Sequence, residues 1–225
     1  MKHIAQFDRF ANEYRRYKLI QSRVAKHLIS NISKKGRRIL DLGAGSGEVY
    51  ENIAWPIELF VAADASEEML SLHPPCQKIL CDFDDKVCFE KIKPLKIDQV
   101  IAASSLQWSK DLDKLFTNIL TITSNVAFAI FTAKTFKTIH DLAGIKSPIY
   151  KKEEIIEKIN EKFSVRFEVR EYKLFFSEPI EMFRYIKRSG VSRGEKLLSY
   201  RQMKRVIEEY PYPYLEFEVV FAWSE

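Results

Sequence analysis

The sequence has few cysteines and no long apolar run. Its three cysteines (Cys76, Cys81 and Cys88) are an odd number in a short window, which argues against a disulfide framework and for a reducing compartment. The longest apolar stretch lies near residues 126–131, whereas a membrane-spanning helix needs about 20 apolar residues. Charged residues soon follow the first methionine, so we expect no secretory segment. These absences predict a cytoplasmic protein.

Glycine is also scarce, with 7 residues in a chain of 225. The composition is otherwise that of a globular protein, since 46% of the residues are hydrophobic and 30% are charged. Such a chain can bury a core and matches the size of one domain.

The net charge of +5 is unevenly distributed. Residues 1–38 carry +9 and residues 183–205 carry +7, whereas residues 39–182 carry −6 and residues 206–225 carry −5. Two basic segments therefore flank an acidic middle. This asymmetry indicates either a surface that meets a negatively charged partner or two solvated helix faces without a partner.

Strands and helices alternate through the first two thirds of the chain, after two amphipathic helical segments near residues 7–14 and 20–32. The strands are nearly continuous in apolar residues, which is typical of parallel strands covered on both faces. The predicted strands are 38–42, 59–63, 79–81, 99–103 and 126–132.

The last third of the chain has a different pattern. Residues 166–176 and 215–223 alternate like antiparallel strands, and residues 180–187 are helical. The whole pattern predicts an α/β fold, a doubly wound and mostly parallel seven-stranded sheet of the Rossmann-like type.

Three of the glycines lie within five residues, at Gly43, Gly45 and Gly47. They follow the first strand and precede a helix, an arrangement that lets a ligand approach the main chain closely. The alternative is an ordinary tight turn. The concentration of a scarce residue at this position favours a ligand site.

The loop does not match the common phosphate-binding patterns. A dinucleotide fingerprint requires glycine where this chain has Glu48, and that side chain would repel a pyrophosphate. No Gly-Lys-Ser/Thr follows, which excludes a phosphate loop of the P-loop type. A zwitterionic ligand with a cationic sulfonium fits better, with Asp41 near its ammonium or sulfonium end.

Asp64 is the candidate for binding a ribose. It lies 23 residues after Asp41, at the end of the second strand, where a carboxylate can accept hydrogen bonds from two hydroxyls. The alternative is an acid that complements the dipole of the following helix.

Asp82 and Met69 are candidates for contacts with an adenine. Asp82 follows the third strand and could accept from the adenine amino group, with Phe83 supplying its backbone amide. Asp82 could equally cap a helix together with Asp84 and Asp85. Met69 could pack against the base or fill the core.

Residues 36–135 resemble the class I S-adenosylmethionine-dependent methyltransferases. Residues 41–47, 64–70 and 81–82 occupy the positions of that superfamily's cofactor motifs. The resemblance implies S-adenosylmethionine as cofactor and S-adenosylhomocysteine as product. The cofactor-binding residues it implies are Asp41, Gly43, Ala44, Gly45, Gly47, Asp64, Ala65, Met69, Asp82, Phe83 and Ser104.

A narrower resemblance links most of the chain to the malonyl-acyl-carrier-protein O-methyltransferases of biotin synthesis. It rests on Phe7, Ala11, Tyr14 and Gln21 near the start, on residues 104–108 with Gln107 and Trp108, and on residues 186–192. The chain departs from the family where Arg188 and Ser189 replace a Gly-x pair, and where Ser104 replaces an asparagine.

This resemblance implies methyl transfer to the free carboxylate of a malonyl thioester, at the start of pimelate synthesis. The carboxylate is already ionised at neutral pH, so no general base is nominated. Catalysis would come from positioning and from the exclusion of water. The residues implied in these roles are Tyr14 and Tyr17 as a lid, Gln107 and Trp108 in the crevice, and Arg184, Lys187 and Arg188 as carboxylate-binding cations.

The expected organisation is a single domain. Residues 1–35 form N-terminal lid helices, 36–135 the cofactor-binding core, and 136–225 a substrate-side region with a helical insertion and the final antiparallel strands. The expected partner is an acidic acyl carrier protein that docks on residues 183–205, with the chain as a monomer.

Alternative functions remain open at this stage. The generic core and basic flanks also suit methylation of another small metabolite or of RNA, although no nucleic-acid motif is recognisable. A catalytically silent S-adenosylmethionine-binding module is the third possibility. We expect no metal, because the spacing of the cysteines and His73 matches no closed ligand set, and no membrane contact.

Overall fold

The computed structural model describes residues 18–188 and 199–225. A seven-stranded sheet runs through this part of the chain, in the order β3-β2-β1-β4-β5-β7-β6. Its strands are β1 (Arg38–Leu42), β2 (Leu59–Asp64), β3 (Gln77–Leu80), β4 (Gln99–Ala103), β5 (Val126–Phe131), β6 (Val165–Phe175) and β7 (Tyr214–Ser224). This confirms the predicted fold class.

Nine α-helices are found among the described residues, together with two short 3₁₀ turns at Lys93–Leu95 and Leu106–Trp108. The helices are α1 (Leu19–Asn31), α2 (Glu48–Asn52), α3 (Glu67–Leu72), α4 (Lys86–Ile92), α5 (Leu112–Leu120), α6 (Lys137–Ala143), α7 (Lys152–Asn160), α8 (Pro179–Arg188) and α9 (Tyr200–Glu209). None of them is both long and apolar enough to cross a membrane.

The parallel strands β1, β2, β4 and β5 are buried on both faces, because two apolar clusters cover the sheet from opposite sides. On one side, Ile20, Val24 and Leu28 place the apolar face of α1 on the sheet. On the other, Leu112 and Phe116 do the same for α5. The helices thereby hold the carboxyl ends of the parallel strands along one edge.

The last third of the chain closes the sheet with an antiparallel pair. β7 pairs with β5 on one side and with β6 on the other, and both pairings are antiparallel. Since β6 consequently runs parallel to β5, its carboxyl end and the start of β7 lie on the edge where the parallel strands end. The helices α8 and α9 connect these two ends, so they belong to the same edge.

The structure corrects the expectation about cysteines. Cys81 and Cys88 form a disulfide with their Cα atoms 5.2 Å apart, and Cys76 is free. The expectation against disulfides was therefore wrong for this pair, because the turn after β3 folds α4 back onto the end of the strand. An odd number of cysteines does not prevent one pair from forming.

Several sequence predictions fall outside the described residues. They are the helix near residues 7–14, the lid tyrosines Tyr14 and Tyr17, and the segment from Ser189 to Ser192. Lys187 and Arg188 end α8, but their side chains are also outside the described part of the chain.

Candidate functional site

A cleft lies beside the carboxyl ends of β1, β2 and β4, where ligands bind in open α/β sheets. The space it encloses, with the open solvent at its mouth included, is about 790 Å³. Most of the predicted cofactor residues line it. These are Asp41, Gly43, Ala44, Gly45, Asp64, Ala65, Met69, Asp82, Phe83 and Ser104, and Trp108 lies with them.

The glycine loop passes very close to the end of β4. A Cβ atom added to Gly43 would lie 2.3 Å from Cβ of Ser105, so no side chain fits at this position. The Ser105 hydroxyl donates to the Leu42 carbonyl over 2.7 Å and fixes the two loops against each other. The amides of Gly43 and Ala44 both donate to the Ala63 carbonyl, which ties the loop to β2 as well.

The Asp64 carboxylate joins the two loops that follow β1 and β2. Its Oδ2 accepts from the Gly45 amide over 2.9 Å, and its Oδ1 accepts from the Ser66 amide over 2.9 Å. The side chain is thereby fixed at the cleft wall. A carboxylate at the end of β2 is also the type of group that can accept hydrogen bonds from ligand hydroxyls.

Asp41 is buried at the base of the cleft. Only 1% of its surface is exposed, and neither carboxylate oxygen has a hydrogen-bond partner among the described residues. Burial, with smaller contributions from Glu48 and Asp64, raises the pKa of Asp41 well above its ordinary value. A buried carboxyl without hydrogen-bond donors is stable either as the neutral acid or beside a cation.

Glu48 is the other acid on this side of the cleft. Its Oε1 lies 2.5 Å from Lys18 Nζ and accepts from the Ser46 hydroxyl over 2.8 Å. Lys18 directly precedes α1, so this ion pair ties the start of that helix to the glycine loop.

The cleft is acidic throughout. Among the described residues, the ionisable side chains that line it are the acids Asp41, Glu48, Asp64 and Asp82, with no lysine, arginine or histidine. Such a lining favours the positive end of a ligand and disfavours phosphate groups.

Asp82 and Phe83 form the far wall of the cleft, between the two cysteines of the disulfide. Asp82 Oδ1 accepts from the Asp84 amide over 2.9 Å, which shapes the turn. The cap of α4 is Asp85, whose carboxylate accepts from the Val87 amide. The alternative role of Asp82 as the cap of that helix is therefore filled by Asp85.

Residues after β4 supply the neutral part of the site. Ser104 has a φ of 64°, and its buried hydroxyl has no hydrogen-bond partner among the residues described. Gln107 lies behind it and donates through Nε2 to the Ser104 carbonyl over 2.7 Å. The indole of Trp108 lines the cleft itself.

Three predicted residues lie outside the cleft lining. Gly47 packs against His73 and Pro74, and Gln107 is buried behind Ser104. Arg184 is exposed on α8, along the same edge of the sheet.

Sequence reasoning did not assign six of the lining residues to the cofactor site. They are Gln21, Glu48, Val49, Ser66, Ala103 and Ser105. Ser66 lies within a cofactor motif and Glu48 directly follows one, so both could have been included on that ground. Gln21 comes from α1, and only the packing of that helix on the sheet brings it to the cleft.

S-adenosylmethionine fits the chemistry of these residues. Asp41 and Glu48 suit its cationic end, Asp64 suits the ribose hydroxyls, and Met69, Asp82 and Phe83 can receive the adenine. The orphaned Asp41 carboxyl is the strongest sign that the ligand carries positive charge.

Comparison with known proteins agrees with this chemistry. No family model matches the chain. A malonyl-[acyl-carrier protein] O-methyltransferase from Bacillus cytotoxicus is 29% identical over 152 residues, which cover 60% of this chain and about half (51%) of the relative. The protein of the same name from Chlorobium phaeovibrioides is 29% identical over 209 residues, covering 83% of this chain and 78% of the relative.

Solved structures share the fold at low sequence identity. An S-adenosylmethionine-dependent methyltransferase from Thermotoga maritima superposes with a TM-score of 0.57 and 14% identity, covering 99% of this chain and 100% of the other. The plantazolicin methyltransferase BpumL in complex with SAH gives 0.51 and 12% identity, covering 98% and 90%. This chain therefore has the Rossmann-like fold that these methyltransferases share.

Proposed function

We propose that this protein transfers the methyl group of S-adenosylmethionine to the free carboxylate of a malonyl thioester carried by an acyl carrier protein. The cofactor part of the proposal is carried by one observation, the unpartnered Asp41 carboxyl in an acidic cleft that also presents Asp64. The acceptor is suggested by the two relatives of that name and by the block from Ser104 to Trp108.

The residues of the cleft bind and orient the reactants. When bound, S-adenosylmethionine supplies an electrophilic methyl group, whose transfer to a carboxylate oxygen leaves a methyl ester and a neutral thioether. Asp64 fixes the position of the ribose. Trp108 covers one side of the cleft with an apolar surface, and Ser104 offers a hydroxyl at the end of β4. Holding both reactants in line can contribute about 7–11 kcal/mol to lowering the barrier.

The acceptor carboxylate needs no base, but it needs a cation. The described lining of the cleft contains none, so the carboxylate would be held at the mouth rather than at the base. Arg184 is our candidate, because α8 follows the carboxyl end of β6 on the same edge of the sheet. A guanidinium can hold a carboxylate with two parallel hydrogen bonds.

The carrier protein would dock on the basic segment 183–205. Among its described side chains, Arg184, Arg201, Lys204 and Arg205 are exposed. Lys204 and Arg205 pair with acids one turn further along α9. An acidic carrier protein would be attracted to this segment and would bring its malonyl group to the mouth of the cleft.

The test is a methyl-transfer assay read by mass spectrometry. The acceptors are malonyl and succinyl carrier proteins, malonyl coenzyme A and an RNA pool. We expect a methyl ester on malonyl carrier protein as the main product. Transfer to RNA with a steep dependence on salt would replace our acceptor by nucleic acid, and binding of the cofactor without any transfer would indicate a silent module.

Two variants separate the roles of cofactor and acceptor residues. Asp64→Ala should weaken binding of S-adenosylhomocysteine, whereas Arg184→Ala should raise the KM for the acyl substrate and leave cofactor binding unchanged. Arg166→Ala is the matched control, since this exposed arginine starts β6 at the opposite edge of the sheet. If Arg184→Ala and Arg166→Ala behave alike, Arg184 has no role in binding the acceptor.

A further inference from the structure

The environment of Asp41 has a consequence beyond cofactor recognition. Its carboxyl group lines the cleft, is almost fully buried and lacks a hydrogen-bond donor among the described residues. An ionised carboxylate in such a place is strongly disfavoured, so the group needs either a proton or a cation from a ligand.

The ionisable groups around Asp41 make its ionisation harder still. Glu48 from α2 and Asp64 from the end of β2 both act on it, and Asp82 lines the same cleft. Cys76, ahead of β3, also interacts with Asp41 electrostatically. The carboxylates among these groups carry negative charges that oppose a second one on Asp41, whereas the Cys76 thiol is neutral because burial raises its pKa.

The cation of this region does not neutralise Asp41. Lys18 Nζ forms an ion pair with Glu48 instead. In the sheet, the residues paired with Asp41 are Ala62 of β2 and Ile101 of β4, which carry no charge. The described part of the protein thus provides no positive charge that binds Asp41.

We propose that Asp41 is protonated in the free protein and releases its proton when the positively charged end of S-adenosylmethionine binds. This rests on the proposed cofactor. The proton leaves the carboxyl oxygen for solvent, and the positive charge of the ligand then neutralises the Asp41 carboxylate. No covalent bond of the ligand changes in this step.

The affinity of the protein for S-adenosylmethionine should rise with pH. The free protein holds a proton on Asp41 and the complex does not, so raising the pH favours the complex. The affinity should increase by up to about tenfold per pH unit while Asp41 remains protonated in the free protein, and should level off once it is ionised.

The test is isothermal titration calorimetry with S-adenosylmethionine in two buffers of different ionisation enthalpy. The range of about pH 5 to 7 avoids titration of the ligand's own ammonium. We expect the unmodified protein to release up to one proton on binding, and Asp41→Asn to release none. Asp64→Asn should bind more weakly and still release a proton.

The experiment separates failure of this inference from failure of the proposed function. If the unmodified protein does not bind S-adenosylmethionine at all, the cofactor assignment fails. If it binds without proton release, or if Asp41→Asn releases as much, only the present inference fails. Should Asp41→Asn not fold, Glu48→Gln gives a second test. Removing that charge should shift the release to lower pH, and an unchanged release curve would overturn the inference.

Discussion

Ser104 adopts a backbone conformation that few residues other than glycine adopt. Its φ of 64° lies in the left-handed region, and its hydroxyl is buried at the cleft without a partner among the described residues. Both features are unfavourable in a protein without ligand. Together they support the proposal that Ser104 contacts a bound cofactor.

We expect Ser104→Gly to stabilise the fold by about 1 kcal/mol, because it relieves the backbone strain. The same change should weaken binding of the cofactor, since it removes the hydroxyl. Urea denaturation and titration with S-adenosylhomocysteine measure the two effects. The neighbouring Ser105→Ala should instead destabilise the fold by about 1 kcal/mol, because the hydrogen bond to the Leu42 carbonyl is lost. An unchanged affinity in Ser104→Gly would remove Ser104 from the site.

His73 should make the stability depend on pH. The ring lies between Gly47 and Phe60, and burial lowers the pKa of His73. The unfolded chain therefore binds a proton more readily than the folded one, so the free energy of unfolding should fall as the pH drops below about 6.5. Denaturation at several pH values measures this. His73→Phe should show a smaller fall, and an equal fall would assign the effect to other groups, such as the buried His140.

Gly47, which directly precedes α2, has no space for a side chain. Gly47 has a φ of 102°, and a Cβ added there would lie 2.6 Å from Cδ of Pro74. Gly47→Ala should therefore destabilise the protein by about 2–4 kcal/mol, through backbone strain and the clash together. Gly144→Ala is the control, since its φ of 65° is also left-handed but no atom lies within 4 Å of the added Cβ. It should lose only about 1 kcal/mol, and thermal unfolding would compare the two.

A buried glutamate joins β7 to the end of β5. Glu218 Oε1 accepts from the Thr132 hydroxyl over 2.7 Å, and Oε2 from Lys134 Nζ over 3.1 Å. Glu218→Ala leaves the buried Thr132 hydroxyl without this acceptor, so we expect a loss of about 1–3 kcal/mol in urea denaturation. Glu218→Gln keeps an acceptor at the same place and should lose less. Equal losses would show that the hydrogen bond to Thr132 is unimportant.

The elements of the core were predictable because each is encoded by neighbouring residues. Asp64 was expected at the end of the second strand and is the last residue of β2, and Ser66 caps α3 by accepting from the Met69 amide. The cysteine pair was missed, because it depends on the direction in which a turn folds back. The spacing of residues along the chain does not show in which direction this turn folds.

At the scale of the whole molecule, some residues of the site could be predicted from neighbouring positions in the sequence and others could not. The motifs identify the acids and glycines that follow β1 and β2, since these lie a few residues apart. The contribution of α1 is different. Gln21 reaches the cleft, and Lys18 reaches Glu48, only because the helix packs across the sheet. The sequence also shows an acidic middle segment, residues 39–182, which contains the four acids of the cleft. It does not show that these acids lie together, because they are separated by up to 41 positions.

The position of β7 between β5 and β6 also constrains how the protein can be assembled during synthesis. β6 is made earlier but has no neighbour in the described sheet until β7 inserts, and until then β5 keeps an open edge. A nascent chain that stops after residue 213 should therefore expose the unpaired β6 and the open edge of β5, and should aggregate on release from the ribosome. Soluble yield and size-exclusion chromatography would measure this, and a soluble monomeric fragment would show that the first five strands are self-sufficient.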